Sequence, residues 1–199
     1  MSTAKPIKTG SPPGRIRIIG GRYRRTPIPV VVAPGLRPTP DRVRVTVFNW
    51  LEHLLGDLTG CAALDLFAGS GALGFEMASR GARRVVMVDS HPRAAEALRQ
   101  LQRHLGASAV EVLQSDWSAA AAREAPATFD VVFLDPPFGS ELLAPALAAA
   151  RRVLKPEGLL YVESGAALPE AAAASAGYCA LRSGRAGAVN FQLLRMTAQ

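Results

Sequence analysis

From residue 60 onward, short apolar runs alternate with longer alanine-rich stretches. The apolar runs predict strands at 62–67, 84–89, 109–114, 129–135 and 158–163, with a final pair near 177–182 and 188–195. The stretches between them predict helices at about 71–80, 92–105, 117–124, 141–154 and 167–175. Alternating strands and helices, with strands apolar throughout, specify a parallel sheet covered on both faces. The closing segment CALRSGRAGAVNFQLLRM departs from that order. It reads as two strands joined by a glycine-containing loop, which places one antiparallel strand in the sheet. The expected fold is therefore α/β and Rossmann-like, with a seven-stranded, mostly parallel sheet and one antiparallel strand.

The first sixty residues follow other patterns. Residues 1–14 are rich in Ser, Pro, Gly and Lys and predict a disordered tail. In RIRIIGGRYRRTPIPVVV, Arg15 and Arg17 alternate with Ile16 and Ile18, Gly20-Gly21 makes a turn, and Tyr23 to Val32 runs back. This predicts an arginine-bearing hairpin, and with the following turn it defines a basic arm over 15–40. A helix is expected from Asp41 to Leu55, with Thr39 as N-cap and Pro40 at the first helical position. Val43, Val47, Trp50, Leu51 and Leu54 share one face of it. Arg42 and Arg44 fall in its first turn, where cations oppose the helix dipole, so a partner outside the chain is expected for them. Residues 41–199 form the second expected unit.

Composition narrows the class. The 199 residues are 49% hydrophobic and 20% charged, as in a folded domain. No apolar run approaches the ~20 residues of a membrane-spanning helix, and the N-terminus lacks the apolar core of a secretion signal, so the cytoplasm is the expected compartment. Cys61 and Cys179 form no metal-ligand spacing and are expected as free, partly buried thiols; the three histidines are scattered, and no metal is expected. No long amphipathic seam asks for a second copy, so a monomer is expected. The net charge of +7 is unevenly placed: residues 1–44 carry +9 and the rest −2. Most of that basicity is arginine, whose planar fork suits phosphate. Such an arm gains free energy on nucleic acid by releasing counterions. Arg22, Arg24, Arg25, Arg37 and Arg42 are the candidate RNA contacts.

The chemistry begins at LDLFAGSGALGFE. Gly69-Ser-Gly71-Ala-Leu-Gly74 follows a strand and opens a helix, the glycine pattern that lets backbone approach a nucleotide-bearing ligand. Asp89 ends the next strand, where a carboxylate can accept both ribose hydroxyls. These two features fit NAD and S-adenosylmethionine (SAM) equally. Two others favour SAM. Asp65, inside the first strand, can receive the ammonium of a methionine moiety, and Asp116-Trp117 can meet adenine through its amine and its face. The candidate cofactor pocket is Asp65, Phe67, Ala68, Gly69, Gly71, Asp89, Asp116 and Trp117.

The stretch DVVFLDPPFG supplies an acceptor site at the C-terminal end of the fourth strand, where open α/β sheets bind ligands. An exocyclic amine has two N–H donors. Asp135 can take one and the Pro136 carbonyl the other, while Phe138 stacks on the ring. Asp135, Pro136 and Phe138 are the candidate catalytic residues.

The blocks RIIGGRYR, PGLRPTPDRVRVTVFNWL, LDLFAGSGALGFEMASRGA, FLDPPF and LYVES together resemble the RsmD family of bacterial 16S rRNA guanine-N2 methyltransferases, from about Arg15 to Arg195. The resemblance implies a class I SAM-dependent methyltransferase. It implies one guanine of small-subunit rRNA as substrate, methylated within the 30S particle. It also implies that Arg37, Thr39, Asp41 and Arg42 cover the cofactor and lead towards the RNA. His91 and Val45 depart from the family pattern, at positions where carboxylates are expected. DNA or RNA adenine-N6 methylation is the alternative, since the same residues serve adenine; a protein-glutamine methyltransferase, an NAD-dependent reductase and a non-catalytic rRNA-binding factor are further rivals.

Overall fold

The computed structural model describes residues 16–29 and 40–197. The expected tail, Arg37 and Thr39 lie outside the described residues. Two short strands, β1 (Ile16–Arg17) and β2 (Pro27–Ile28), pair antiparallel. Helix α1 (Asp41–Leu55) follows, then β3 (Ala62–Asp65), α2 (Ala72–Ser79), β4 (Arg84–Asp89), α3 (Pro92–Leu105) and β5 (Val110–Gln114). The chain continues through α4 (Trp117–Arg123), β6 (Phe129–Leu134), α5 (Leu143–Val153), β7 (Leu154–Ser164) and α6 (Glu170–Ser175) to β8 (Tyr178–Ala186) and β9 (Val189–Met196).

Seven strands form one sheet in the order β5-β4-β3-β6-β7-β9-β8, and β9 alone runs against the others. The order reverses between β3 and β6, which start from the middle of the sheet and feed loops to its carboxyl edge. Such a switch point is where open α/β sheets hold ligands. One face is covered by α1, α2 and α3 through Phe48, Phe75, Leu98, Phe133 and Tyr161. The other is covered by α4, α5 and α6 through Ala120, Val132, Leu147, Leu160 and Tyr178. Strands buried on both faces explain the continuous apolar runs. Strand β7 starts earlier than its apolar run, at Leu154, and a register shift against β6 takes up the Lys155-Pro-Glu-Gly158 segment.

The arm packs into the same core, because Ile16, Ile18 and Ile28 join the α1–α3 layer. Its turn is pressed onto the end of α2. Arg22 N donates to the Ser79 carbonyl at 2.7 Å, and a Cβ on Gly21 (φ +69°) would stand 1.9 Å from that oxygen. Only glycine fits there. Glu76, fully buried on α2, accepts from Ile19 N (2.7 Å), Gly20 N (2.8 Å) and Arg80 Nε (2.9 Å).

Three local expectations need correction. Pro40 is the N-cap of α1, not its first helical residue, because its carbonyl accepts from Val43 N and Arg44 N. Arg44 is not displayed for an outside partner. Its side chain is 0% exposed and reaches Asp41 Oδ1 (2.6 Å), the Arg17 carbonyl (2.9 Å) and Glu76 (3.9 Å). These acceptors outweigh the unfavourable dipole position, and only Arg42 of that pair stays exposed. Both cysteines are free, but Cys179 is exposed on the edge strand while Cys61 is half-buried.

Candidate active site

The carboxyl ends of β3 and β6 are neighbours. Asp65 is level with Phe133, and Leu66 N donates to the Phe133 carbonyl at 3.2 Å. The glycine loop leaves β3 and the Asp-Pro-Pro-Phe loop leaves β6 at the same edge, on strands ~4.8 Å apart. A ligand in one loop therefore lies beside a ligand in the other.

The glycine loop is a tight turn. Ala68 N donates to the Val88 carbonyl (2.9 Å) and Gly71 N to the Ala68 carbonyl (2.6 Å). Gly71, at φ +78°, caps α2, and a Cβ there would meet Leu98 at 2.4 Å. Asp89 ends β4 and accepts from Gly69 N (2.9 Å) through one oxygen and from His91 N (2.8 Å) through the other. It thus holds the loop as well as facing the cleft. Phe67 and Trp117 lie tilted against each other with ring centres 5.9 Å apart, both half-buried at this edge.

Asp65 is the most perturbed acid of the site. It is 1% exposed, and burial pushes its pKa up to about 7; the N–H groups of Phe67 and Gly74 oppose that rise and the Asp89 charge adds to it. Among the described residues its Oδ1 has no hydrogen-bond partner. A buried carboxylate short of partners is costly unless a cation answers it. The ammonium of a methionine moiety is such a cation, so the residues present fit SAM.

Asp116 does more than sequence reasoning assigned to it. Its carboxylate caps α4, accepting from Ser118 N (2.9 Å) and Ala119 N (3.3 Å), and the Ser118 hydroxyl bond holds its pKa below the usual range. The helix cap is its visible role, and the serine two residues on was the signal for it.

Across the cleft, Asp135 is half-buried, Pro136 buried, and Phe138 stands 48% exposed. Ser140 N and Oγ both donate to the Pro137 carbonyl, closing the turn behind Phe138. The Phe138 ring rests over Gly165, where a Cβ would be 3.5 Å away. At the other end of the same strand, Asp130 is structural: it accepts from Ala62 N (2.8 Å) and pairs with Lys155 (2.6 Å).

Sequence reasoning gave no role to two buried polar groups beside Asp135. Glu163 is 2% exposed on β7, and the Tyr161 hydroxyl donates to its Oε2 at 2.8 Å. Their signal was available, since Glu163, like Asp135, ends an apolar run with an acid.

Three of the candidate arginines are not at this edge. Arg22, Arg24 and Arg25 are exposed on the turn held by Ser79, at the far end of α2 from the glycine loop. The helix separates them by ~12 Å along its axis. Among the described residues no group of His, Cys, Asp and Glu is placed to hold a metal ion, and no helix is long and apolar enough to cross a membrane.

A Rossmann-like sheet with a glycine turn after β3, an acid ending β4 and Asp-Pro-Pro-Phe after β6 defines a class I methyltransferase. Comparison with known proteins gives the family. The chain belongs to the family described as Conserved hypothetical protein 95, whose model matches residues 16–195, and this is the RsmD family that its motifs resemble. It is 39% identical to the ribosomal RNA small subunit methyltransferase D of Haemophilus influenzae, over 80% of this chain and 84% of that one. It is 41% identical to the protein of the same name from Escherichia coli K12, over 80% of this chain and 79% of that one. The solved structure of yhhF from Escherichia coli superposes with a TM-score of 0.77 at 36% identity, covering 94% of this chain and all of that one. The chain is a methyltransferase.

Proposed function

We propose that this enzyme transfers the methyl group of SAM to the exocyclic N2 amine of one guanine in small-subunit (16S) rRNA, within a 30S ribosomal particle. The observation that carries this reading is the adjacency of the two loops: a buried acid short of partners beneath the glycine turn, and an acid–proline–aromatic lip on the next strand. The relatives' name, ribosomal RNA small subunit methyltransferase D, supports rRNA as the substrate.

When bound, SAM supplies a methyl carbon made electrophilic by its sulfonium. Asp65 answers the ammonium of the methionine moiety, Asp89 the ribose hydroxyls, and Phe67 and Trp117 flank the adenine, with Asp116 at its amine; Ala68, Gly69 and Gly71 let the backbone come close. On the acceptor side the guanine is turned out of its stack and its ring rests on Phe138. One N2–H donates to Asp135 and the other to the Pro136 carbonyl. An aryl amine is a weak nucleophile because its lone pair is delocalised into the ring. Fixing both hydrogens turns that pair towards the cleft, and such alignment can lower a barrier by ~7–11 kcal/mol. The methylated amine is acidic and passes its proton to Asp135 or water.

The arm, residues 15–40, is the RNA-gripping unit, with Arg22, Arg24, Arg25 and Arg37 on phosphates; residues 41–199 are the catalytic unit, whose Arg42 adds a further phosphate contact. Because the exposed turn lies at the far end of α2, it holds RNA remote from the target base. The enzyme works as a cytoplasmic monomer.

The test is Asp135→Ala in single-turnover methylation of small subunits, with SAM affinity measured in parallel. Methyl transfer is expected to fall at least about a hundredfold while SAM affinity stays within a few-fold of wild type. A variant that methylates at the wild-type rate overturns the assignment.

A further inference from the structure

Asp135 and Glu163 occupy matching places on neighbouring parallel strands. The register between β6 and β7 ends with Leu134 opposite Val162, and the next residue on each strand is an acid. Phe133 and Tyr161, one pair earlier, point into the α1–α3 layer, and the two-residue period of a strand returns Asp135 and Glu163 to that face. One hydroxyl feels both charges. Tyr161 donates to Glu163, and burial, the Glu163 charge and then the Asp135 charge all raise the phenol's pKa well above its ordinary value. Tyr161 therefore stays protonated and remains a donor, which holds one oxygen of the Glu163 carboxylate in place.

We propose that Glu163 is the residue that selects guanine, by accepting the N1–H of the base whose N2 amine is held by Asp135 and Pro136. This rests on the guanine-N2 reading above and adds the group that discriminates. Guanine presents three N–H bonds on adjoining atoms, two at N2 and one at N1. The strand ends present acceptors: the Asp135 carboxylate, the Pro136 carbonyl and the Glu163 carboxylate. Adenine presents an amine too, but its neighbouring N1 carries a lone pair, which would face the Glu163 oxygens. An acceptor set against an acceptor loses a hydrogen bond and adds repulsion in a desolvated place. Gly165, two residues beyond Glu163, lies under the Phe138 ring, so a base resting on that ring stands beside the end of β7.

Tyr161 makes the conservative variant informative. In Glu163→Gln the Tyr161 hydroxyl can keep an oxygen acceptor while the second carboxylate oxygen becomes an amide nitrogen. A donor then stands where an acceptor stood, in nearly the same volume.

The probe is 2-aminopurine, which keeps the exocyclic amine but carries a lone pair at N1. Small subunits bearing guanine or 2-aminopurine at the modified nucleotide are methylated by wild type, Glu163→Gln and Tyr161→Phe. SAM affinity and thermal melting are measured for each. Wild type is expected to prefer guanine by roughly a hundredfold in kcat/KM, because sites built around a hydrogen bond reject analogues that lack it. Glu163→Gln is expected to narrow that preference at least about tenfold while SAM affinity is kept. Tyr161→Phe, which loosens the carboxylate without removing it, narrows it less. A folded, SAM-binding Glu163→Gln with the wild-type preference overturns the proposal. Should that variant fail to fold, an unchanged preference in Tyr161→Phe overturns it. A wild type that forms no N2-methylguanosine in any particle overturns the function reading first, and this one with it.

Discussion

The two ends of helix α2 each face a buried carboxylate, and the two acids are treated in opposite ways. At the C-terminal end, Glu76 is 0% exposed and holds two backbone N–H groups of the arm, the Arg80 guanidinium and the edge of Arg44. At the N-terminal end, Asp65 is 1% exposed and one of its oxygens has no partner among the described residues. Burial raises the Asp65 pKa to about 7. The acid whose partners the chain supplies is scaffold, and the one left short is where we propose that the ammonium of SAM binds. The helix thus ties a closed joint to an open site.

The comparison breaks most readily at the closed joint. Glu76→Ala strands two N–H donors and a buried arginine, so it is expected to cost about 3–5 kcal/mol of stability in denaturant unfolding. A loss under about 1 kcal/mol would mean that the arm is not fastened there.

At the open end the sign reverses. An acid ionised in water above pH ~4 but only above about pH 7 in the fold destabilises the folded state as pH rises between those values. Below about pH 4 both states are protonated and the penalty is absent; above about pH 7 it is full, at up to ~4 kcal/mol. Asp65→Asn removes the titration. The variant is expected to match or exceed wild type in stability at about pH 8, with the gap closing towards about pH 4, and to bind SAM more weakly. Wild-type SAM affinity should itself fall as pH drops through about 7, since the ammonium needs the ionised acid. A pH-independent gap in stability would remove Asp65 from this role.

Replacing Arg22, Arg24 and Arg25 by glutamine gives the smallest effect on the chemical step. Particle affinity should fall, and the slope of log affinity against log salt should flatten by ~0.7–0.9 for each phosphate that is no longer neutralised. The single-turnover rate at saturating particle should stay within a few-fold of wild type. A collapse of that rate would place these arginines at the reaction itself.

The open site was far more legible in the sequence than the closed joint. Glycine turns and acids at strand ends are local signals, and Gly69, Gly71, Asp89 and Asp135 announced themselves within a few residues of chain. Strand and helix positions followed from runs of apolar residues, and Arg84–Asp89 and Pro92–Leu105 match the expected ranges. Arg44 was misread because two of its three partners come from elsewhere. It shares a helical face with Phe48 and Leu51, four and seven residues on, and Asp41 was in view three residues before it, but Glu76 and the Arg17 carbonyl are supplied by distant parts of the chain. The same reason hid the position of the arm's arginines: the turn closes on itself, with Arg24 N donating to the Gly21 carbonyl and Arg25 N to the Ile18 carbonyl, but Ser79 on α2 is what anchors it. Glu163 was passed over although it ends an apolar run with an acid, because what sets it apart is its place beside Asp135 on the neighbouring strand, and that pairing is not local.

The most direct test of the central claim is the identity of the methylated nucleoside. The enzyme is incubated with labelled SAM and, separately, small ribosomal subunits, naked 16S rRNA and duplex DNA, and the products are digested and analysed by mass. N2-methylguanosine formed from one site in the small subunits is the predicted result. N6-methyladenosine, or label entering duplex DNA in preference to the particle, would contradict it.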